Sequence, residues 1–235
     1  MDLIRTEYVV DSVTLTGFLA DGSGSGQAPG VLLAHEGTGI TQQTKRRARM
    51  LAERGYVVLA LDMYGKQDLT LEESRGYSQQ LLTDSALLRR RARAGLVRLA
   101  SQASCDPARI AVVGICLGGI VALELARDGA QILGCIGIHP GLRRPTGSTT
   151  PASISAKILM VIGDNDPVAP AEARYAFARE MSDAGADWQL VLLGGIGHSF
   201  TNPTVDAYAL PGYNYDGTAD RRAWRYALNL LEELF

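Results

Sequence analysis

Short apolar runs alternate with longer stretches of helical periodicity along most of the chain. The apolar runs are long enough for buried strands, and the stretches between them place apolar residues on one helix face. Strands that alternate with helices in this way form a mostly parallel sheet with helices on both faces. The predicted strands are residues 31–34, 56–62, 110–113, 132–138, 158–162 and 188–193, and the predicted helices are 44–54, 71–102 with a break near Thr83, one from Leu117 onwards, 170–184 and 220–235.

The two ends of this pattern carry further signals. Residues 4–10 and 13–20 are β-rich runs on either side of Asp11-Ser12, which predicts an N-terminal antiparallel hairpin. Thr70 and Glu73 have the spacing of a capping box, and Asp220 is the predicted N-cap of the closing helix. Residues 140–153 are rich in Pro, Gly, Ser and Thr and predict a loop. We therefore expect one α/β domain over residues 1–235, without a large cap domain.

One hexapeptide, Gly114-Ile115-Cys116-Leu117-Gly118-Gly119, lies between an apolar run and a helical stretch. Strand, glycine-rich turn and helix, with a reactive side chain at the apex, are typical of a nucleophile elbow, here with cysteine in place of serine. The glycines leave room for a tight turn. The helix that begins at Leu117 directs free N–H groups at the apex, which favours a thiolate and then an oxyanion.

Two other interpretations of Cys116 exist. A free cysteine often behaves as a small buried hydrophobe, so the segment is also compatible with an ordinary strand-to-helix turn. A phosphate-binding loop is less compatible, because the dinucleotide pattern G-x-G-x-x-G is absent. The choice depends on whether acid and base partners follow the cysteine.

Such partners follow two later strands. Asp164 and Asp166 come after the run 158–162, and His198 comes after the run 188–193. The order nucleophile, acid, histidine is that of α/β-hydrolases. We predict that His198 accepts the thiol proton and that Asp166 orients the His198 ring. Asp166 is preferred as the acid because Pro167 fixes the turn just beyond it. Asp164 is expected to bind backbone N–H groups of the turn.

The loop after the first parallel strand, His35-Glu36-Gly37, is the usual source of the second oxyanion N–H. We expect Gly37 and Leu117 to donate the two N–H groups. Glu36 is unusual there, because a negative charge opposes an oxyanion; an exposed surface glutamate is the alternative. The strand pleat turns His35 away from Glu36, so we expect a structural role for it. His139 is a weaker candidate base.

Composition excludes several functional classes. The chain has 235 residues, a net charge of −2, three cysteines and three histidines. A charge near zero favours neither nucleic-acid nor membrane-surface binding. No signal peptide or membrane-spanning run is present, and scattered cysteines favour a reducing cytoplasm over a disulfide framework. Because no histidine has a metal-site spacing, we expect no metal. No cofactor is expected either.

The motifs together resemble the dienelactone hydrolase family of α/β-hydrolases over essentially the whole chain. The resemblance implies a Cys116–His198–Asp166 triad and a role for Glu36 in holding the resting thiol until substrate binds. It implies substrate contacts for Tyr64, Arg75, Phe200 and Asn202. Asn202 stands where the family carries an arginine, which removes one bidentate partner for a substrate carboxylate. The matching segments are His35-Glu36-Gly37, Asp62-Met63-Tyr64-Gly65, Gly114–Gly119, Gly163–Pro167, Gly197–Phe200, Tyr215-Asp216 and Ala223-Trp224.

A cysteine nucleophile restricts the substrates that we expect. Thiolate is also a good leaving group, so the tetrahedral intermediate of a simple alkyl ester expels sulfur again. Enol and aryl esters, including enol lactones, release a stabilised oxyanion instead. The expected function is hydrolysis of small activated or enol esters and lactones by a monomer or small homo-oligomer. The alternatives are a broad carboxylesterase or thioesterase, and a non-catalytic binding protein for a small molecule.

Overall fold

The computed structural model describes residues 1–149 and 153–235, so residues 150–152 of the predicted 140–153 loop lie outside the described part. Eight strands of the described part form one sheet. They are β1 (Ile4–Val10), β2 (Val13–Asp21), β3 (Ala28–Ala34), β4 (Val57–Leu61), β5 (Cys105–Ile115), β6 (Gly134–Ile138), β7 (Lys157–Gly163) and β8 (Trp188–Leu193). Their spatial order is β1-β2-β4-β3-β5-β6-β7-β8.

The directions of the strands confirm the predicted fold class. β1 and β2 pair antiparallel, with Val10 opposite Val13 across the predicted turn. β2 is antiparallel to β4, and every later neighbour in the sheet is parallel. β4 and β6 are buried along their whole length, as strands covered on both faces must be. No separate cap domain covers the sheet in the described residues.

Six helices cover the two faces of the sheet. One apolar cluster, which contains Leu88 and Phe177, lies on one face of the sheet, and the other, which contains Leu51 and Trp224, lies on the opposite face. No helix of the described residues is long and apolar enough to cross a bilayer. The helices are α1 (Gln42–Ala52), α2 (Leu71–Thr83), α3 (Ser85–Ala100), α4 (Leu117–Arg127), α5 (Ala171–Asp183) and α6 (Gly217–Leu234).

The predicted helix ends are partly right. The Thr70–Glu73 capping box is present, and the predicted break near Thr83 lies between α2 and α3, where the Asp84 side chain caps α3. The N-cap prediction for Asp220 is wrong, because Asp216 accepts the N–H groups that begin α6. Asp220 instead forms a buried ion pair with Arg47 of α1. That pairing is between distant segments, so helix-capping rules do not reveal it.

The parallel part of the sheet brings the candidate residues to one edge. Glu36 follows β3, Cys116 follows β5, Asp166 follows β7 and His198 follows β8. Parallel strands end at the same edge, so loops that are far apart in the chain meet there. The site is built from these loops.

Candidate active site

Cys116 lies at a sharp turn between β5 and α4. Its φ of 55° is positive, a conformation that a non-glycine residue adopts only when the surroundings impose it. The backbone N–H of Cys116 donates to Ile138 O at 3.0 Å, which holds the turn against β6. Cys116 is partly exposed, whereas Cys105 and Cys135 are buried. The turn therefore presents one thiol of three to solvent.

The two glycines beside the apex are required by close backbone contacts. A Cβ atom on Gly114 would lie 2.0 Å from Gly118 O, and one on Gly118 would lie 2.2 Å from Ala34 O. Both distances are far below contact distance, and both oxygens belong to the backbone, which does not move easily. The elbow pattern read from the sequence therefore has a steric cause in the fold.

The three predicted triad residues lie together. Cys116 Sγ is 3.3 Å from His198 Nε2, and His198 Nδ1 is 2.8 Å from Asp166 Oδ2. The side chains of His198 and Asp166 are almost completely buried. Asp166 Oδ1 also accepts the Val168 N–H at 2.7 Å, which fixes the carboxylate plane. This chain of contacts can carry a proton from sulfur to imidazole.

The electrostatics of the site favour a charged imidazole. Burial lowers the pKa of His198, but the charge of Cys116 and the hydrogen bonds to Asp166 and Cys116 outweigh burial and raise it to about 10. An imidazolium at this position has Asp166 Oδ2 on one side and Cys116 Sγ on the other, and both hydrogen bonds stabilise its charge.

Asp164 accepts a backbone N–H, as predicted, but the prediction that this N–H belongs to its own turn is wrong. Its Oδ1 accepts the Gly195 N–H at 2.6 Å, three residues before the site histidine. Asp164 thus ties the loop after β7 to the loop that carries His198. Of the two carboxylates of this turn, only that of Asp166 contacts the imidazole.

The N–H group of Leu117 belongs to the first residue of α4 and has no acceptor within the helix. Across the site, the Gly37 carbonyl accepts hydrogen bonds from Tyr64 Oη at 2.8 Å and Ser78 Oγ at 3.3 Å. Tyr64 Oη and Ser78 Oγ are themselves 2.7 Å apart. These two hydroxyl groups fix the backbone of the loop that holds the second predicted oxyanion donor.

Glu36 is buried, so the alternative of an exposed surface glutamate is wrong. Its Oε2 accepts a hydrogen bond from Asn202 Nδ2 at 3.1 Å, and its Oε1 has no partner. Burial raises the pKa of Glu36 to about 7, against smaller lowering effects of Asn202, His198 and Arg47. The carboxyl group therefore changes charge near neutral pH.

The two other histidines have different surroundings. His35 Nδ1 donates to Glu36 O at 2.6 Å, and His35 Nε2 accepts the Met63 N–H at 3.2 Å, so both ring nitrogens serve the backbone. His139 is completely buried. The centroids of its ring and the His198 ring are 5.1 Å apart in an edge-to-face arrangement, and His139 Nε2 is 2.9 Å from Thr201 Oγ1. The reaction proposed below does not need His139.

A cavity of about 590 Å³ opens above Cys116. Arg75 of α2 and Asn202 line it, as the resemblance implies. Arg75 has no carboxylate partner in the described part of the chain. Tyr64 and Phe200 lie behind the wall, Tyr64 against Gly37 and Phe200 against His139. The apolar lining residues are Leu71, Leu82, Val205, Tyr208, Leu210, Pro211 and Tyr213.

Sequence reasoning missed two residues of this site. Ser78 lines the cavity and bonds the Gly37 loop; its spacing of three residues from Arg75 on a helix was an available signal. Tyr213 also lines the cavity, and its ring lies 4.8 Å from that of His198. Tyr213 belongs to an aperiodic segment, where no local pattern indicates proximity to the histidine.

Comparison with known proteins adds to this geometry. The sequence profile described as the dienelactone hydrolase family matches residues 15–235. The chain is 31% identical to a carboxymethylenebutenolidase of Pseudomonas sp. (strain P51) over 158 residues, which are 63% of this chain and 65% of that protein. It is 28% identical to a probable 2-oxo-3-(5-oxofuran-2-ylidene)propanoate lactonase of Bradyrhizobium sp, over 78% of each chain.

A solved structure is similar over the entire chain. It is a dienelactone hydrolase-like promiscuous phosphotriesterase from metagenomic libraries, with 34% identity and a TM-score of 0.94. The alignment covers 100% of this chain and 98% of that chain.

Proposed function

The chain belongs to the dienelactone hydrolase family and is an ester-bond hydrolase, and we propose that it cleaves small activated or enol esters and lactones through a thioacyl-enzyme on Cys116. The observation that carries this proposal is the contact chain from Cys116 Sγ, which lines the cavity, to His198 and on to Asp166, at 3.3 and 2.8 Å. Thiol, base and orienting acid have the order and the distances that nucleophilic catalysis needs.

The first half of the proposed reaction forms the thioacyl-enzyme. His198 holds the proton of Cys116, and the thiolate attacks the ester carbonyl carbon. The N–H groups of Leu117 and Gly37 stabilise the tetrahedral oxyanion, which is where such donors have their largest effect. The intermediate then collapses: the C–O bond to the leaving group breaks, and His198 gives its proton to the departing oxygen.

The second half releases the acid. His198 takes a proton from water, and the hydroxide attacks the thioester carbon under the same two N–H groups. The C–S bond breaks, Cys116 leaves as thiolate beside the protonated His198, which restores the starting pair, and the carboxylic acid product loses its own proton to solvent. Asp166 keeps Nδ1 of His198 protonated throughout, so that Nε2 always faces the reacting atoms.

Glu36 and Asn202 are proposed to set the state of the resting thiol. Glu36 is neutral below about pH 7, and a neutral carboxyl group does not repel a nearby thiolate or oxyanion. Asn202 holds one oxygen of Glu36 with an uncharged donor, where the family carries an arginine. Position 202 therefore supplies no positive charge for a substrate carboxylate.

Arg75 is proposed to bind a substrate carboxylate at the cavity wall. It is a cation without an ion-pair partner in the described residues, and it lines a cavity that also has several apolar side chains. A substrate with one carboxylate and a flat apolar body fits this distribution of charge. The proposed substrate is therefore a small enol or aryl ester, or a lactone, with one negative charge.

Alkylation and acyl-enzyme trapping test this proposal. Iodoacetamide should inactivate the enzyme at Cys116, and substrate should protect it; mass spectrometry after rapid quenching should detect one acyl group on the peptide of Cys116. Cys135→Ala is the matched control, because that thiol is buried on β6. Hydrolysis that survives complete alkylation of Cys116 would contradict the proposal.

The substrate preference needs its own measurement. We expect kcat/KM to be higher for p-nitrophenyl acetate and for a dienelactone than for a matched ethyl ester, because the leaving groups of the first two are better than thiolate. Equal kcat/KM for the ethyl ester would indicate a broad carboxylesterase instead.

A second candidate activity is phosphotriester hydrolysis. Its support is the whole-chain relative at 34% identity that is described as a promiscuous phosphotriesterase. A thiolate beside two oxyanion N–H groups can also attack a phosphoryl centre. Release of p-nitrophenol from paraoxon over many turnovers, abolished in Cys116→Ala, would support this activity, and a single stoichiometric burst would exclude turnover.

A further inference from the structure

One group of three metal-binding side chains comes together in the described part of the chain. A ligand atom of each of Cys116, His139 and His198 lies within 4.8 Å of the other two. Cys116 and His198 belong to the proposed reaction, but His139 has no part in it. A buried histidine beside a thiol and a second imidazole raises the question of what its ring can bind.

The spacing of two of these atoms matches a tetrahedral zinc ion. With Zn–S near 2.3 Å and Zn–N near 2.0 Å, neighbouring ligand atoms on one ion lie roughly 3.5 Å apart. Cys116 Sγ and His198 Nε2 are 3.3 Å apart. The nitrogen of His139, within 4.8 Å of both, needs to approach by about 1 Å to complete three ligands.

One of the two ring nitrogens of His139 has no hydrogen-bond partner. Its Nε2 is hydrogen-bonded to Thr201 Oγ1 at 2.9 Å, and its Nδ1 is buried without a partner. The tautomer that donates Nε2–H to Thr201 leaves a lone pair on Nδ1 and avoids a buried N–H without acceptor. Metal-binding histidines usually donate their second ring N–H to such an outer partner, which fixes the ring. Thr201 has that position here.

The site is also open on one side. Cys116 is partly exposed and lines the cavity, so an ion can reach its sulfur from solvent, whereas His139 and His198 are buried and do not line the cavity. Three protein ligands leave a fourth tetrahedral position toward the cavity for water. Sulfur and imidazole ligands favour Zn²⁺, whereas Mg²⁺ and Ca²⁺ need oxygen ligands.

We propose that Cys116, His139 and His198 bind one Zn²⁺ ion reversibly and that the bound ion stops hydrolysis. Zn²⁺ takes the place of the proton that Cys116 and His198 share, and that proton leaves to solvent. The ion then occupies the electron pairs of Sγ and of Nε2 that attack and proton transfer require. The inhibitory part rests on the proposed function, whereas the binding part depends only on the three side chains.

Binding and activity are measured separately on the whole protein. Metal-free protein is titrated with Zn²⁺ in competition with a chromophoric chelator, and the rate on p-nitrophenyl acetate is followed against free Zn²⁺. We expect one Zn²⁺ per chain, loss of hydrolysis at the same free concentration, full recovery with EDTA and no effect of Mg²⁺. Co²⁺ should give a thiolate-to-metal absorption band that is lost in Cys116→Ala.

His139→Gln and His139→Ala test the third ligand. Loss of a metal partner costs about 10- to 100-fold in affinity even in the outer shell, so we expect at least that weakening of Zn²⁺ binding. Two variants are used so that one misfolded protein does not end the test, and Cys135→Ala, which removes a buried thiol outside the group, should bind as the wild type.

The outcomes are distinguishable. Absence of stoichiometric Zn²⁺ binding, or equal affinity in the wild type and both His139 variants, would overturn the proposal. Undiminished hydrolysis with zinc bound would overturn its inhibitory part. A protein that binds Zn²⁺ as expected but hydrolyses no ester would contradict the proposed function and leave the metal site standing.

Discussion

Asn202 donates one hydrogen bond to Oε2 of Glu36, at 3.1 Å, while Oε1 of the same carboxyl group is buried without a partner. One neutral donor does not compensate a carboxylate for the loss of water. This is why burial dominates and raises the pKa of Glu36 to about 7. A group that titrates in the middle of the physiological pH range thus lines the same cavity as the candidate nucleophile.

The first prediction concerns stability against pH. The folded protein keeps the Glu36 proton up to about pH 7, whereas the unfolded chain loses it near 4.5, the ordinary pKa of a glutamate. Unfolding therefore releases this proton between these values, and the contribution of Glu36 to the free energy of unfolding falls as pH rises. Relative to Glu36→Gln, the wild type should lose about 3 kcal/mol between pH 4 and pH 8.

Urea unfolding of both proteins across that range measures the effect. Glu72→Gln is the control, because Glu72 is an exposed carboxyl group on α2, and its difference from wild type should not follow the same curve. A Glu36→Gln difference that stays constant from pH 4 to pH 8 would show that Glu36 does not titrate near neutrality.

The second prediction separates the two aspartates of one turn. Asp166→Asn should lower kcat by about 10²- to 10⁴-fold with little change in KM, because the amide no longer holds the imidazole in the required tautomer. Asp164→Asn keeps an oxygen for the Gly195 N–H and should lose less than about tenfold. Steady-state kinetics on p-nitrophenyl acetate decide, and a larger loss in Asp164→Asn would reverse the assignment.

The third prediction concerns Arg75. Arg75→Gln should raise KM about tenfold or more for an ester that carries a carboxylate, since a charge-assisted hydrogen bond is lost. The same variant should leave KM for p-nitrophenyl acetate nearly unchanged. Arg46→Gln removes an equal charge from a neighbouring surface cleft and serves as control for bulk electrostatics. Equal effects of Arg75→Gln on both substrates would argue against a carboxylate contact.

The fourth prediction concerns Tyr64, which does not line the cavity. Tyr64→Phe removes the hydroxyl that binds the Gly37 carbonyl and Ser78, so the oxyanion loop is held less rigidly. We expect kcat to fall about tenfold while KM stays within about twofold, because transition-state stabilisation depends on donor position. Tyr77→Phe is the control, because it changes only the ring that is stacked on Tyr64. If KM rises and kcat does not, Tyr64 contributes to substrate binding.

Several features of the fold were predictable because they depend on local chemistry. The Thr70 capping box, the hairpin at Asp11-Ser12 and the turn around Cys116 are each specified by residues a few positions apart. Helix and strand periodicity likewise follows from neighbours in the chain. The wrong N-cap at Asp220 marks the limit of this reasoning, because a partner 173 positions away determines what that carboxylate does.

The amino-acid sequence by itself determined the alternation of strands and helices, the elbow with its glycines, and the order Cys116, Asp166, His198. These features depend on apolar periodicity and turn sterics, which act over short stretches of chain. Only the tertiary structure decided that Tyr64 lies behind the cavity, that Tyr213 and His139 flank His198, and that Glu36 is buried with one donor. Burial, and with it the pKa of a carboxyl group, depends on distant segments that meet at one edge of the sheet.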